Sequence, residues 1–152
     1  MHTEGRFEPE TVADARAAYD AVGPAAQVVV RETTRAMEFD REEYDRRVTE
    51  TVVETARDAL FASLLAVTVG DRDAYERWRE GYDGEVVEAG SDAVESVAWH
   101  APPFADRAVA ATFQSEPAAA KQTLRRQAFG RLYRPLFEGD GDGESDRDGA
   151  DA

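Results

Sequence analysis

The longest uncharged stretch of the sequence, ALFASLLAVTVG, runs from Ala59 to Gly70. A helix that crosses a bilayer needs about 20 apolar residues, so this stretch is too short to span a membrane. Its apolar residues lie on nearly every side of a helical wheel, and such a helix must be surrounded by other elements. The stretch therefore predicts a buried segment in the middle of the core.

The residues before this stretch extend it into one long predicted helix. Asp40 precedes Glu43 by three residues, which is the capping-box pattern of a helix start. Apolar side chains then recur at helical spacing, at Tyr44, Val48, Val52, Ala56 and Ala59. We therefore predict one long central helix from Asp40 to about Val69.

Two helices are predicted before it and one directly after it. Pro9 suits the first turn of a helix that Gly23 and Pro24 end. A second helix is predicted from Pro24 to about Glu38, although its run of three valines is also compatible with a strand. After the central helix, Asp71 or Asp73 can cap a shorter helix.

This shorter helix carries an aromatic stripe formed by Tyr75, Trp78 and Tyr82. Such a stripe can serve as a ligand platform, but apolar side chains at helical spacing more often pack into a core. We therefore predict core packing for these three residues.

The period of the sequence changes after residue 84. The segments EVVEAG and AVESVAWH predict two short strands around a turn at Gly90 and Ser91, and AVAATF predicts a third from Ala108 to Phe113. Ser115 is a candidate cap for the last helix, which has Pro117 in its first turn. The segment predicts a small antiparallel sheet.

Together these elements predict a mainly helical α+β fold with a helical core around one long central helix. We expect residues 1–137 to form a single domain. Residues 138–152 contain seven acids and no large apolar residue, so they predict a disordered acidic tail, since they cannot bury enough surface to become ordered.

The charge balance points to an environment rather than to a ligand. The chain has 32 acids and 18 bases, and Lys121 is its only lysine. A net charge of −14 is tolerated best where concentrated salt screens self-repulsion, so the composition predicts a halophilic protein. The same charge disfavours nucleic-acid binding. The N-terminal MHTEGRFEPE lacks the features of a signal peptide, so we expect a cytoplasmic protein without membrane association.

Positive charge is concentrated in the last predicted helix. Between Pro117 and Phe137 there are five cations and no acid, at Lys121, Arg125, Arg126, Arg131 and Arg134. On a helical wheel Arg125 falls in the middle of the apolar arc, whereas Arg131 and Arg134 lie outside it. Because a lone buried charge is costly, Arg125 must pair with an acid, bind an anion or lie on a face that is not buried.

Catalytic machinery is sparse in the sequence. Cysteine is absent, and His100 is the only plausible histidine base, without a recognisable nucleophile or metal-ligand partner. Glu50, Glu54 and Asp58 repeat every four residues, but a solvated face paired with nearby arginines explains this spacing better than a metal site. We therefore expect no cofactor and no metal.

Five stretches resemble an uncharacterised family of small acidic haloarchaeal proteins, known only as a domain of unknown function. They are YDAVGPAAQ, MEFDREEYDRRV, ARDALFASLL, VAWHAPPF and TLRRQAFGRLYRPLF. They cover most of the chain from Tyr19 to Phe137. The resemblance implies a halophilic, cytoplasmic setting and no particular activity.

The function that the sequence favours is that of a non-enzymatic interaction or regulatory protein with a protein partner. Its predicted surface combines the VAWHAPPF loop with the arginine-rich last helix, through Trp99, His100, Arg125, Arg126, Arg131 and Arg134. The alternative is a small enzyme or anionic-ligand binder that uses His100 with Arg125 or Arg126. The oligomeric state is left open.

Overall fold

The computed structural model describes residues 1–138 as a mixed sheet with helices on both of its faces. The helices are α1 (Val12–Ala21), α2 (Gly23–Ala36), α3 (Arg41–Arg47), α4 (Glu50–Ser63), α5 (Arg72–Glu80) and α6 (Pro117–Ala128), and the strands are β1 (His2–Glu4), β2 (Val67–Asp71), β3 (Glu85–Ala89), β4 (Ser96–His100) and β5 (Arg107–Phe113). A π-helical turn, Phe129–Tyr133, continues α6. Helix resumes over residues 134–138.

The sheet has the strand order β1-β2-β4-β5-β3. Strand β3 pairs with β5 in parallel, and the other neighbours are antiparallel. Because successive side chains of a strand point to opposite faces, the side chains of β4 pack into the layers on both faces of the sheet. Val97 and Trp99 pack with Tyr75 of α5. Ala98 and His100 lie on the opposite face, where Ala98 joins the cluster formed with α1, α4 and α6.

Phe61 of α4 lies in the middle of the larger core. Five aromatic rings surround it with centroid distances of 5.3–5.9 Å, from Phe7, Tyr19, Phe129, Tyr133 and Phe137. The apolar arc predicted for the last helix is buried here, through Leu124, Ala128, Phe129, Leu132 and Tyr133. The last helix therefore packs directly against α4.

The prediction of one long central helix is wrong. Val48 is extended, with φ −92° and ψ 93°, and the Oγ1 of Thr49 accepts a hydrogen bond from the N–H of Val52 at 3.3 Å, which starts a new helix. Helix α4 ends at Ser63, and Val67, Thr68 and Val69 form a strand instead. Their β-branched side chains favour the pleated surface that β1 and β4 offer.

The prediction of a small antiparallel sheet is also wrong, although its three strands exist. The segment after β3 is not a tight hairpin, and β3 crosses over to the far edge of β5 in parallel register, with Val87 opposite Val109. Strands β1 and β2 complete five strands where three were predicted. Local patterns locate strands, whereas their neighbours depend on contacts distant in sequence.

Several local predictions are settled by the backbone. The valine run of residues 28–30 is helical, within α2. Asp40 and Asp71 cap α3 and α5, each accepting a backbone N–H three residues later at 2.8 Å. Ser115 does not cap α6, whose N-cap is Glu116 without a side-chain hydrogen bond.

The predicted acidic tail lies outside the described residues, apart from Glu138. Among residues 1–138, no helix is both long and apolar enough to cross a bilayer.

Candidate functional site

The residues predicted to form one surface occupy three different environments. Trp99 and His100 are buried on opposite faces of β4. Arg125 is half-buried on the inner side of α6. The remaining three arginines are exposed, Arg126 on α6, Arg131 in the π-helical turn and Arg134 just after it. The chain therefore does not bring all six residues together.

Arg125 fastens α6 to the edge of the sheet. Its Nε donates to the carbonyl of Leu65 at 2.6 Å, one Nη donates to the carbonyl of Glu4 at 3.0 Å, and the other donates to the Oε1 of Gln122 at 2.9 Å. The inward guanidinium is thus met by neutral oxygens rather than by an acid. These bonds occupy the fork that would otherwise recognise a carboxylate.

Lys121, one turn earlier, makes an ion pair with an acid, whereas Arg125 does not. Its Nζ lies 2.8 Å from the Oε1 of Glu4. The hydrogen bond from Lys121 is the main reason that the pKa of Glu4 falls to about 2. Two cations of α6 therefore bind Glu4 of β1. Lys121 binds the carboxylate of Glu4, and Arg125 binds its backbone carbonyl.

His100 bridges the sheet and the last helix. Its Nδ1 lies 2.6 Å from the carbonyl of Ala66, and its Nε2 lies 2.7 Å from the hydroxyl of Tyr133. Because a carbonyl can only accept, Nδ1 carries the proton, and the neutral ring accepts the Tyr133 O–H at Nε2. The π-helical turn holds Tyr133 in this position.

Burial and, to a smaller extent, the nearby positive charge of Arg125 lower the pKa of His100 to about 4, and the hydrogen bond to the carbonyl of Ala66 only partly opposes this shift. Burial also raises the pKa of Tyr133, so the phenol stays protonated. Both ring nitrogens of a neutral imidazole are occupied, and neither is presented to a substrate. This arrangement supports a structural role for His100.

A cavity of about 310 Å³ opens beside the end of β4. It is lined by the chain's two tryptophans, by the prolines of the VAWHAPPF loop and by two acids of the N-terminal segment, namely Trp78, Trp99, Pro102, Pro103, Glu8 and Glu10. We call it the tryptophan cavity. His100 also borders it, whereas Arg125, Arg126, Arg131 and Arg134 do not.

The indoles that line this cavity form a stack. The Trp78 and Trp99 ring centroids are 5.5 Å apart with an interplanar angle of 29°, and Tyr82 stacks on Trp78 at 4.8 Å. The predicted core packing is therefore correct for Tyr75, which is buried, and incomplete for Trp78, which is half-buried and borders the cavity.

Two of the three exposed arginines, Arg126 and Arg134, contact residues that are close to them in sequence. Arg126 donates to the Oγ1 of Thr123 at 3.2 Å. Arg134 lies 5.0 Å from the centroid of the Phe129 ring and 3.9 Å from the carboxylate of Glu138. Arg131 is solvent-exposed in the π-helical turn.

A second concave surface was not anticipated from the sequence. A groove of about 440 Å³ lies between α2 and α4, lined by Val29, Val30, Thr33, Thr34, Met37, Phe39, Arg47, Val48, Val52, Thr55, Ala56 and Ala59. We call it the α2–α4 groove. Among the residues that the structure describes, Arg47 is the only charged one that lines the groove. Its guanidinium lies 5.4 Å from the centroid of the Phe39 ring.

The groove leaves large apolar side chains exposed. Val29, Met37 and Val52 are 50%, 57% and 40% exposed. The valine run in α2 was the sequence feature that could have revealed this surface. Once the run is helical, its residues cannot all face the core.

Comparison with known proteins identifies the family but no activity. No curated protein and no solved structure matches the chain. Residues 6–134 match the profile described as "Family of unknown function (DUF5809)". Since this match spans more than half of the sequence, the chain belongs to that family of unknown function.

Proposed function

We propose that the chain is a non-catalytic interaction protein that binds an amphipathic helix of a protein partner in the α2–α4 groove. The observation that carries the proposal is a concave surface that has, within residues 1–138, a single charged lining residue, in a chain of which 33% is charged. Exposed apolar patches of this kind mark interaction sites on soluble proteins.

The shape of the groove suits a helix. Its walls are two helices of 14 residues, each about 21 Å long, and a third helix can lay its apolar stripe between them. The lining is dominated by methyl groups of valine, threonine and alanine, which present a smooth surface. Arg47 at the Phe39 end favours a partner with an acid at the matching end of its stripe.

The chain's own C-terminal residues do not fit this groove chemically. Residues 139–152 contain no large apolar side chain, so they offer nothing that could replace water on the valines and Met37. The occupant is therefore proposed to be another protein.

The buried histidine supports the non-catalytic part of the proposal. A general base must reach the proton that it removes, and both nitrogens of His100 are bonded inside the protein. The exposed Arg126, Arg131 and Arg134 remain a proposed second contact for an acidic segment of the partner. Trp99 and His100 remain in the proposal as the border of the tryptophan cavity.

We further propose a halophilic, haloarchaeal and cytoplasmic setting for this interaction. The excess of 14 negative charges and the single lysine support it. Apolar docking suits concentrated salt, since salt screens ion pairs but does not weaken burial of methyl groups.

Two adjacent valines provide the test. Val29 lines the groove, whereas Val28 is on the same helix, is 46% exposed and does not line it. A photo-crosslinking amino acid is placed at position 28 in one variant and at position 29 in another. Crosslinking is performed inside living cells, at their own salt concentration. We expect position 29, but not position 28, to capture a partner through a segment with an apolar helical stripe.

The charge-introducing change Val52→Glu on the opposite wall should abolish capture from position 29. The same products from positions 28 and 29, or capture that survives Val52→Glu, would refute docking in the groove. If position 29 captures a second copy of this chain, the proposal that the occupant is a different protein is refuted.

A further inference from the structure

We propose that the chain forms a homodimer in which β3 of one copy pairs antiparallel with β3 of a second copy. The pairing joins the two sheets into one continuous sheet across both copies. This inference is independent of helix docking, because β3 contributes no residue to the α2–α4 groove.

Strand β3 is an open edge of the sheet. It lies at the end of the strand order, and its only strand neighbour within residues 1–138 is β5. Glu85, Glu88 and Ala89 are exposed. The opposite edge, β1, has only three residues. Strand β3 is therefore the longer edge, and it contains neither lysine nor proline, which are residues that commonly prevent edge strands from pairing.

The ladder with β5 decides which backbone groups of β3 point outward. The N–H of Glu85 donates to the carbonyl of Asp106 at 2.9 Å, and the pairing with β5 continues one-to-one to Ala89 without a bulge. Backbone groups of successive residues point to opposite sides of a strand. Val86 and Glu88 therefore each direct one N–H and one C=O group away from β5.

These outward groups are complementary to those of a second copy. When Val87 lies opposite Val87 of the other copy, Val86 lies opposite Glu88, and each such pair exchanges both of its N–H···O=C bonds. A shift by one residue would instead place outward groups opposite inward ones. The register centred on Val87 thus satisfies the outward backbone groups of both strands.

The same register keeps like charges from lying directly opposite each other. Glu85 faces Ala89 of the other copy, and Glu88 faces Val86. A shift that placed Glu88 opposite its own copy would juxtapose two acids, which destabilises a strand pair. Charge therefore favours the register that the backbone also favours.

Each acid of β3 already has a cation in its own chain. The Oε1 of Glu85 lies 3.3 Å from the Nε of Arg107, and Glu88 accepts a hydrogen bond from Arg79. The charge at the edge is therefore partly neutralised before a second copy arrives.

A junction made of backbone bonds suits concentrated salt. Peptide groups carry no net charge, so salt does not screen their hydrogen bonds as it screens ion pairs, whereas it does screen the repulsion between two copies with a net charge of −14 each. Because both copies use the same edge, the assembly closes at a two-fold symmetric dimer.

One introduced cysteine tests the register. The chain has no cysteine, so Val87→Cys can form a disulfide only with a second copy. Residues of a non-hydrogen-bonded antiparallel pair have Cα atoms about 4.5 Å apart, which a disulfide can bridge. Val86→Cys is the matched control, because both valines are half-buried. Its two copies would be offset along the strands, with Cα atoms roughly 8 Å apart, which is too far for a disulfide.

Both cysteine variants are mildly oxidised in molar KCl and analysed on a non-reducing gel. We expect a covalent dimer from Val87→Cys and at least about tenfold less of it from Val86→Cys. No dimer from Val87→Cys, or equal yields from the two variants, would overturn the proposal.

A proline at position 86 tests the outward backbone. Val86→Pro removes the N–H that donates to Glu88 of the second copy, whereas the ladder with β5 keeps its donors. Val86→Ala is the control, because it shortens the side chain and keeps the N–H. Sedimentation equilibrium in molar KCl should show a dimer for the wild type and for Val86→Ala, and a dissociation constant at least about tenfold higher for Val86→Pro.

Far-UV circular dichroism verifies that the proline variant folds, and the cysteine pair decides the proposal independently if it does not. A wild type that stays monomeric at every concentration measured would overturn the proposal. So would a folded Val86→Pro variant that dimerises as tightly as Val86→Ala.

Discussion

His100 illustrates how one buried residue can be fully engaged without being catalytic. Its ring donates to the carbonyl of Ala66 and accepts from the hydroxyl of Tyr133. A protonated ring would have to donate from both nitrogens, and Tyr133 would have to reverse its hydroxyl. The nearby positive charge of Arg125 opposes protonation further. The neutral state is therefore part of the folded structure.

This neutrality predicts a pH dependence of stability. The pKa of His100 is about 4 in the folded protein, against 6.5 for an ordinary histidine. Between these values the unfolded chain binds the proton and the folded chain does not. The free energy of unfolding should therefore be highest above pH 6.5 and fall by about 3 kcal/mol as the pH decreases to 4.

Urea unfolding at constant KCl measures this slope between pH 7.5 and 4. The variant His100→Gln should lose most of the slope, whereas His2→Gln, a change at an exposed residue, should retain it. Parallel pH profiles for the wild type and His100→Gln would contradict the assignment.

At the scale of elements, α6 joins the helical layer to the first two strands. Its apolar arc packs on α4, while Arg125 and Lys121 hold Leu65 and Glu4. Strand β1 has only three residues, so its pairing with β2 is weak alone. Gly5 makes the close approach possible: its φ is +127°, and a Cβ there would lie 2.5 Å from the Cα of Ala66. The bonds from α6 to Glu4 and the close approach at Gly5 therefore both stabilise the pairing of β1 with β2.

Removal of the Arg125 side chain should loosen this junction. Arg125→Ala leaves the carbonyls of Leu65 and Glu4 without their charged donor, and we expect a loss of about 2–3 kcal/mol in the free energy of unfolding. Arg126→Ala is the matched control, because this neighbour is exposed and bonds only locally to Thr123. It should change stability by less than about 0.5 kcal/mol. Equal stability of the two variants would show that Arg125 is not a fastening residue.

At the scale of the whole molecule, charge limits the conditions under which the fold persists. A net charge of −14 repels itself in every compact arrangement of the chain. Several ion pairs among residues 1–138 join partners with exposed side chains, such as Arg35 with Glu32 and Arg107 with Glu85. Pairs of this kind contribute little to stability, so they do not cancel the repulsion.

We therefore expect the protein to loosen or unfold below about 0.5 M KCl, because the Debye length then approaches the spacing of surface charges. Dilution from molar KCl, followed by far-UV circular dichroism, measures the transition. Sucrose at matched osmolality is the control, since it favours compact states without screening charge. An unchanged spectrum at low salt, or full rescue by sucrose, would contradict an electrostatic cause.

The sequence by itself determined the features that depend on neighbouring residues. Asp40 and Asp71 cap helices because each can accept a backbone N–H three residues later. The three predicted strands of residues 85–113 exist because β-branched and apolar residues cluster there. The buried arc of the last helix follows from its spacing, and the family follows from residues 6–134.

Only the tertiary structure decided how these elements combine. The placement of β3 beside β5, the addition of β1 and β2 to the sheet, and the bonding of Arg125 to carbonyls rather than to an acid all join residues far apart in sequence. The same holds for the tryptophan cavity, which brings residues near 8, 78, 99 and 102 together. A local pattern fixes the backbone preference of a segment and the polarity of its faces. Which segments become neighbours depends on the burial and hydrogen bonding of the whole chain.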